Sequence, residues 1–189
     1  MKHFKLTKES KVNANGGRLF RIKATVDSAH AKKGELGGFV ESEENVSDNA
    51  WVFGNAMVYG DARVFGNARV YGDARVSDNA RVFGNARVSD NARVYGNALV
   101  SDNARVYGDA RVYGDARVSG DAMTLNFKYN LTLTDNHIIY GCEIKTVEEW
   151  DKWLESKEVI ETPRCHKDFK IIEMSLKLAI EYRKLNPIK

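Results

Sequence analysis

The chain has 189 residues, 43% of them hydrophobic, and a formal net charge of +3. That suits one elongated or compact domain with a modest core, and the charge is too small for a general nucleic-acid binder. No apolar run approaches the ~20 residues of a membrane span. The start, Met1-Lys2-His3-Phe4-Lys5, lacks the apolar stretch of a signal peptide. Cys142 and Cys165 are the only cysteines, too few for a disulfide framework and suited to a reducing compartment. The expectation is a cytoplasmic protein with no membrane contact.

Charge is unevenly arranged. Residues 1–45 hold nine Lys/Arg against six Asp/Glu, and residues 124–189 hold eleven of each sign. Between them, residues 46–123 hold nine Arg and nine Asp, with no Lys and no Glu.

Residues 1–39 read as an N-terminal cap. Two strand-like stretches, 2–7 and 18–25, flank the turn-rich Asn13-Ala14-Asn15-Gly16-Gly17. Residues 33–40 join this cap to a long periodic stretch. Gly37-Gly38 lacks the spacing and the following Lys of a phosphate-binding loop. A cap is expected because an open end of a repeat array exposes both core and ladder groups.

Residues 40–124 are a repeat. Valine stands at every sixth position from Val46 to Val118, and alanine four residues after each, from Ala50 to Ala122. Thirteen units run without a slip: Val, then Tyr, Phe or Ser, then Gly or Asp, then Asn or Asp, then Ala, and usually Arg. A period of six is incompatible with an α-helix, as are Gly, Asn and Asp at each step. In Ala-Arg-Val-Tyr, strand alternation turns Ala and Val to one face and Arg and Tyr to the other. Gly-Asp, Gly-Asn or Asp-Asn then supplies a tight corner. Strand and corner, always turning the same way, close into a prism. This pattern resembles the hexapeptide repeats of left-handed parallel β-helices, in which three hexads make one triangular coil. The left hand is what the resemblance implies, since the general crossover rule favours the other.

Residues 18 apart then stack on one face. The first face carries Arg63, Arg81, Leu99 and Arg117 beside Phe65, Phe83, Ser101 and Ser119. The second carries Arg69, Arg87 and Arg105 beside Phe53, Tyr71, Ser89 and Tyr107. The third carries Arg75, Arg93 and Arg111 beside Tyr59, Ser77, Tyr95 and Tyr113. Two readings compete: arginines lying over aromatics and pairing with corner Asp to solubilise the shaft, or a whole face serving as a contact surface. The interaction surface expected from the second reading is Arg63, Phe65, Arg69, Tyr71, Arg81, Phe83, Arg87, Arg105 and Tyr107. Its partner would be a protein, with single-stranded nucleic acid or a nucleotide the weaker option because Asp equals Arg in number.

Residues 125–189 form a C-terminal strand and helix region. Residues 125–133 read as a strand, 134–137 as a turn, and 137–144 as a second strand. Thr146-Val147-Glu148-Glu149 is a capping box opening a helix to about residue 157. Thr162-Pro163 opens another, to about Leu185. Its apolar residues surround more than one stripe, so it is expected to bury one face in its own body and one, with Phe169, Ile172, Leu176 and Ile180, against a second subunit in a dimer or trimer. The fold class is thus mainly β: a left-handed parallel β-helix with an N-terminal β cap and a C-terminal β-hairpin plus two α-helices.

A cap ending in Gly37-Gly38-Phe39-Val40, the Gly-Asp/Asn-Ala-Arg-Val run, and a tail with Tyr140-Gly141-Cys142 and Thr146-Val147-Glu148-Glu149-Trp150 resemble small phage and prophage hexapeptide-repeat proteins. The resemblance implies a viral or prophage gene expressed in a bacterial cytoplasm and carries over no activity. It accords with a phage factor that inhibits a host or defence complex, or with a structural virion part.

Hexapeptide β-helices that transfer acyl groups from coenzyme A resemble this chain in the shaft only. They use a His near a coil as general base, and their zinc-dependent relatives use several His ligands. Residues 46–123 hold no His and no loop interrupts a hexad; His3, His30, His137 and His166 all lie in the flanks. Cys165-His166 with Asp168 stands at a helix start, where a thiol can be activated, but adjacent helical residues point apart. No catalytic residue, cofactor or metal ligand is expected.

Overall fold

A computed structural model describes residues 2–120, 123–126, 130–141, 143–156, 158–159 and 167–186. The cap begins with an antiparallel hairpin of β1 (Phe4–Val12) and β2 (Arg18–Ala24), Phe4 opposite Ala24. Asn13 closes the turn, its Oδ1 accepting from the backbone N–H of Asn15 at 2.9 Å and Gly17 at 2.8 Å. The first strand runs five residues past the expected Thr7, through a stretch of mixed polarity with a register shift between Leu6 and Ser10. Pairing with β2 extends it, and Lys11 anchors its end by donating to the Asn55 carbonyl at 2.8 Å.

β3 (Leu36–Val40) pairs antiparallel with β2 and parallel with β5 (Met57–Val58), so the cap sheet continues into one face of the shaft. The expected boundary at residue 39/40 therefore falls inside a strand. Gly37 and Gly38 are what permit the junction: a Cβ on Gly37 would stand 2.5 Å from the Val52 carbonyl oxygen, and one on Gly38 2.7 Å from that of Ala56.

From Trp51 the chain forms twelve two-residue strands, β4 (Trp51–Val52), β5, β6 (Arg63–Val64) and onward every sixth residue to β15 (Arg117–Val118). They stack in parallel with an eighteen-residue offset, so that Arg87 lies between Arg69 and Arg105, and Leu99 between Arg81 and Arg117. The result is a β-solenoid of three faces, with four strands stacked on two of them and the cap joined to the other. Every described Val and Ala of the repeat points inward and is 0 or 1% exposed. Each buried Val contributes about 1.5–3 kcal/mol, so stability accumulates in equal increments along the shaft.

The inter-coil backbone hydrogen bonds that flank the two-residue strands run one way. The N–H groups of one coil donate to carbonyls of the next, as in Arg69 N–H to Ala86 O at 2.9 Å and Tyr71 N–H to Val88 O at 3.0 Å. The flanking carbonyls of the first coil and the flanking N–H groups of the last therefore need partners outside the shaft. The caps match that polarity. At the start, His3 Nε2 bonds the Ala50 carbonyl at 3.0 Å and Arg21 donates to the Gly37 carbonyl at 2.9 Å. At the far end, Asn136 Oδ1 accepts from Arg117 N–H at 2.7 Å and Asp135 Oδ2 accepts from Ser119 N–H.

Corner residues adopt left-handed φ at the position after the aromatic or serine, between 55° and 71° from Asp48 to Gly114. Glycine tolerates this; Asp48, Asp78, Asp90 and Asp102 do so at a cost. Three of these Asp side chains offset that cost by reaching into the next coil, accepting from Gly66 N–H at 3.0 Å, Gly96 N–H at 3.1 Å and Gly108 N–H at 3.0 Å. The following position stacks amides: Asn67 donates to Asn85 at 3.4 Å and Asn85 to Asn103 at 3.3 Å. No two shaft aspartates stand 18 residues apart, so within the shaft each carboxylate has Asn or Gly neighbours along its ladder and never another carboxylate.

Beyond the shaft, β16 (Met123–Asn126), β17 (Asn130–Leu133), β18 (Ile138–Tyr140) and β19 (Glu143–Lys145) form a four-stranded antiparallel meander. The stretch read as one strand is therefore two, with Met123 opposite Leu133. β18 is buried on both sides: Ile139 packs on the shaft core, while Ile138 and Tyr140 face the helices. α1 (Val147–Glu155) opens on the expected capping box, Thr146 accepting from Glu149 N–H at 3.2 Å, and its Trp150 Nε1 donates to the Ile138 carbonyl at 2.7 Å. α2 spans Lys167–Leu185; the expected start at Thr162-Pro163 lies outside the described residues.

Val82→Asp should destroy the shaft, because an unpartnered carboxylate would replace a side chain at 0% exposure. The variant should show no cooperative thermal transition by circular dichroism. The charge spacing has its own test. In a double-mutant cycle of Asn67→Asp and Asn85→Asp, the two changes should couple unfavourably by about 0.5–1 kcal/mol at neutral pH. That coupling should vanish on acidification below about pH 4.

Candidate interaction surfaces on the shaft

The three arginine ladders form as the eighteen-residue stacking requires, but they are not equally open. On the first face Arg63 and Arg81 are exposed, and the half-exposed rings of Phe65 and Phe83 stack in parallel, 5.0 Å apart and 4° from coplanar. Lys2, Glu43, Glu44, Val46, Ser47, Arg63, Phe65 and Arg81 line a groove at the head of this face. Lys2 is engaged there by Glu44 at 2.9 Å and Glu43 at 3.6 Å, which leaves the two arginines to solvent.

The second face is partly covered. Trp51, at its head, is fully buried beneath His3 and Phe4, with ring centroids 5.7 and 6.4 Å away. Arg69 and Arg87 are half-buried, and Arg69 Nε is enclosed with no hydrogen-bond partner among the described residues. Only Tyr71, Arg105 and Tyr107 remain exposed, and Phe53 packs edge-on against Tyr71 at 6.4 Å. The expected surface therefore splits: Arg63, Phe65, Arg81 and Phe83 form one open patch, Tyr71, Arg105 and Tyr107 another, and Arg69 and Arg87 are withdrawn. The sequence could not signal this, because the covering residues lie far upstream of the strands they meet: His3 bonds Ala50, and His30 lies beside Arg69.

On the third face Arg75, Arg93 and Arg111 share a groove with Asp73, Asn91 and Asp109. Tyr95 and Tyr113 stack at 5.1 Å, and burial pushes the Tyr95 phenol above its usual range. Among the described residues no shaft arginine forms a salt bridge or lies over an aromatic ring. The solubilising arrangement of arginines paired to corner aspartates is not adopted, because those carboxylates face along the ladder toward Gly and Asn.

Phe169, Ile172, Leu176 and Ile180, expected at a subunit interface, are instead buried inside the chain at 7, 8, 0 and 3% exposure. They pack on Leu131, Leu133, Ile138, Trp150 and Trp153. The amphipathic α1 and the outer side of the meander supply the apolar cover that those residues need, so no second subunit is required there. Cys142, Cys165 and His166 lie outside the described residues. His137, read as a turn residue, is half-buried, and no group of His, Cys, Asp and Glu that could hold a metal occurs among the described residues. No described helix is long and apolar enough to cross a membrane.

The family model of the YdcK β-solenoid repeat matches seven overlapping stretches that together span residues 62–123. The chain is a repeat-built β-solenoid, mainly β, with a C-terminal strand sheet and two helices. Its repeats are similar to that family over the shaft, and no curated protein matches the chain.

His30 gives the covered face a pH dependence. Burial, and then the charge of Arg69, lower its imidazole below the ordinary 6.5. The folded state thus binds this proton less readily than the unfolded chain. The stability that neutral His30 contributes is present above pH 6.5 and is lost as pH falls through the lowered folded value. The drop in melting temperature between pH 7 and pH 5 should be smaller in His30→Gln than in the native protein.

Proposed function

We propose that the protein is a non-catalytic interaction module that docks a protein partner on the first face of the shaft. The observation that carries this reading is the open ladder of Arg63 and Arg81, without carboxylate partners, beside the stacked Phe65 and Phe83. Guanidinium groups and aromatic rings are the side chains that dominate binding energy at protein interfaces. The shaft fixes them at a coil spacing of ~4.8 Å, so little conformational freedom is lost on docking. The partner that suits this face presents carboxylates to the guanidiniums and an apolar strip to the rings. Its setting, as the resemblance to phage and prophage repeat proteins suggests, is a bacterial cytoplasm in which a phage-encoded factor inhibits a host defence complex.

Tagged protein should capture a stoichiometric protein complex from bacterial lysate. Arg81→Glu, on an exposed side chain, should lose that capture with an unchanged melting temperature. The affinity loss should be about thirtyfold or more, as for a central arginine of an interface. Capture unaffected by the substitution, or an eluate dominated by nucleic acid that dissociates steeply with salt, would overturn the reading.

A further inference from the structure

The outward face of α2 carries the largest exposed apolar row among the described residues. Ile171 is 44% exposed, Met174 64%, Leu178 58%, Tyr182 44% and Leu185 79%. None of them joins the core that holds the opposite face of the helix. At ~100° per residue, all five project within about 40° of the direction of Leu178. They form one stripe along the whole helix, distinct from the buried one.

The order of the stripe names its occupant. Relative to Leu178, the apolar residues stand seven and four positions before and four and seven after, so the row reads the same in both directions. A two-fold interface needs such a self-complementary surface, because each residue must meet the same set of neighbours on the other copy. We infer that two copies of this chain associate through antiparallel α2 helices, with the two-fold axis at Leu178. Leu178 then meets its own counterpart, Met174 meets Tyr182, and Ile171 meets Leu185 of the other copy. The charges at the edge of the stripe agree with this pairing. Lys177 and Glu181 are both exposed and lie on the same flank of Leu178. Antiparallel pairing about Leu178 brings Lys177 of each copy within about 3 Å, along the axis, of Glu181 of the other. A parallel two-fold pair would instead put them on opposite flanks of the seam, out of reach of each other's opposite charge.

The buried stripe of Phe169, Ile172, Leu176 and Ile180 keeps α2 fixed to its own meander and α1, so the dimer presents two rigid bodies. It does not depend on the shaft reading, and its failure would leave the Arg81→Glu experiment untouched.

Sedimentation equilibrium on the full chain should give twice the 21.3 kDa chain mass. Leu178→Glu, which sets two carboxylates together on the axis, should weaken association on the order of thirtyfold or more while the monomer melts cooperatively as before. Orientation is read separately, with Cys142 and Cys165 replaced by Ser. Leu178→Cys should form a disulfide-linked dimer readily. Ile171→Cys should not link to itself but should link to Leu185→Cys in a mixture. A monomer at high concentration, a trimer, a dimer that survives Leu178→Glu, or self-linking of Ile171→Cys would each overturn the proposal.

Discussion

Everything in this molecule hangs on a parallel backbone ladder that joins each coil to the next. The ladder works only if every coil has the same length, which the eighteen-residue offset provides. It also works only if the interior is narrow, and Val and Ala, repeated without exception, supply that. Beside the two-residue strands the ladder bonds share one sense, so the two ends present different groups there. The side chains that close them differ accordingly: a histidine and an arginine over the carbonyls of the first coil, a carboxylate and an amide under the N–H groups of the last. The two flanks therefore fit two ends that are not interchangeable.

The same register governs charge. Any residue type repeated every eighteen positions meets itself at ~4.8 Å, a distance at which like charges repel. The shaft treats its two charge types differently. Its aspartates are never in register with one another, and several direct their lone pairs at amide or backbone N–H groups of a neighbouring coil. Its arginines are stacked directly. Guanidinium is planar and weakly hydrated, so it bears such stacking better than a carboxylate or an ammonium group would. The outcome is a shaft whose exposed carboxylates are spaced apart along the ladders, several of them engaged by neighbouring coils, while its arginines stack coil on coil.

The C-terminal region turns a repeat shaft into a body with a second surface. β18 passes Ile139 to the shaft core and Ile138 and Tyr140 to the helices, so shaft, meander and helices share one continuous apolar interior. α2 lies outermost in that series. Its inner stripe is satisfied by α1 and the meander, and its outer stripe is left in solvent. The partner surface proposed on the shaft and the self-association surface proposed on α2 thereby lie on different elements, and the proposed dimer would display two shafts.

The shaft is legible in the residues alone. Its period, its inward Val and Ala, its corners and the stacking of Arg on Arg all follow from a local pattern repeated with one phase, and local patterns with a steric cause survive any tertiary context. The capping box at Thr146 was readable for the same reason. Other features depend on contacts between distant segments, which no local pattern encodes. The withdrawal of Arg69 and Arg87 follows from the N-terminal segment folding across the second face. The division of residues 125–133 into two strands follows from pairing with the strand beyond. For α2 the sequence showed apolar residues all round but not which stripe would be covered. Phe169, Ile172, Leu176 and Ile180 went inward because the meander and two tryptophans of α1 lie against that side, and Leu178 was left outside.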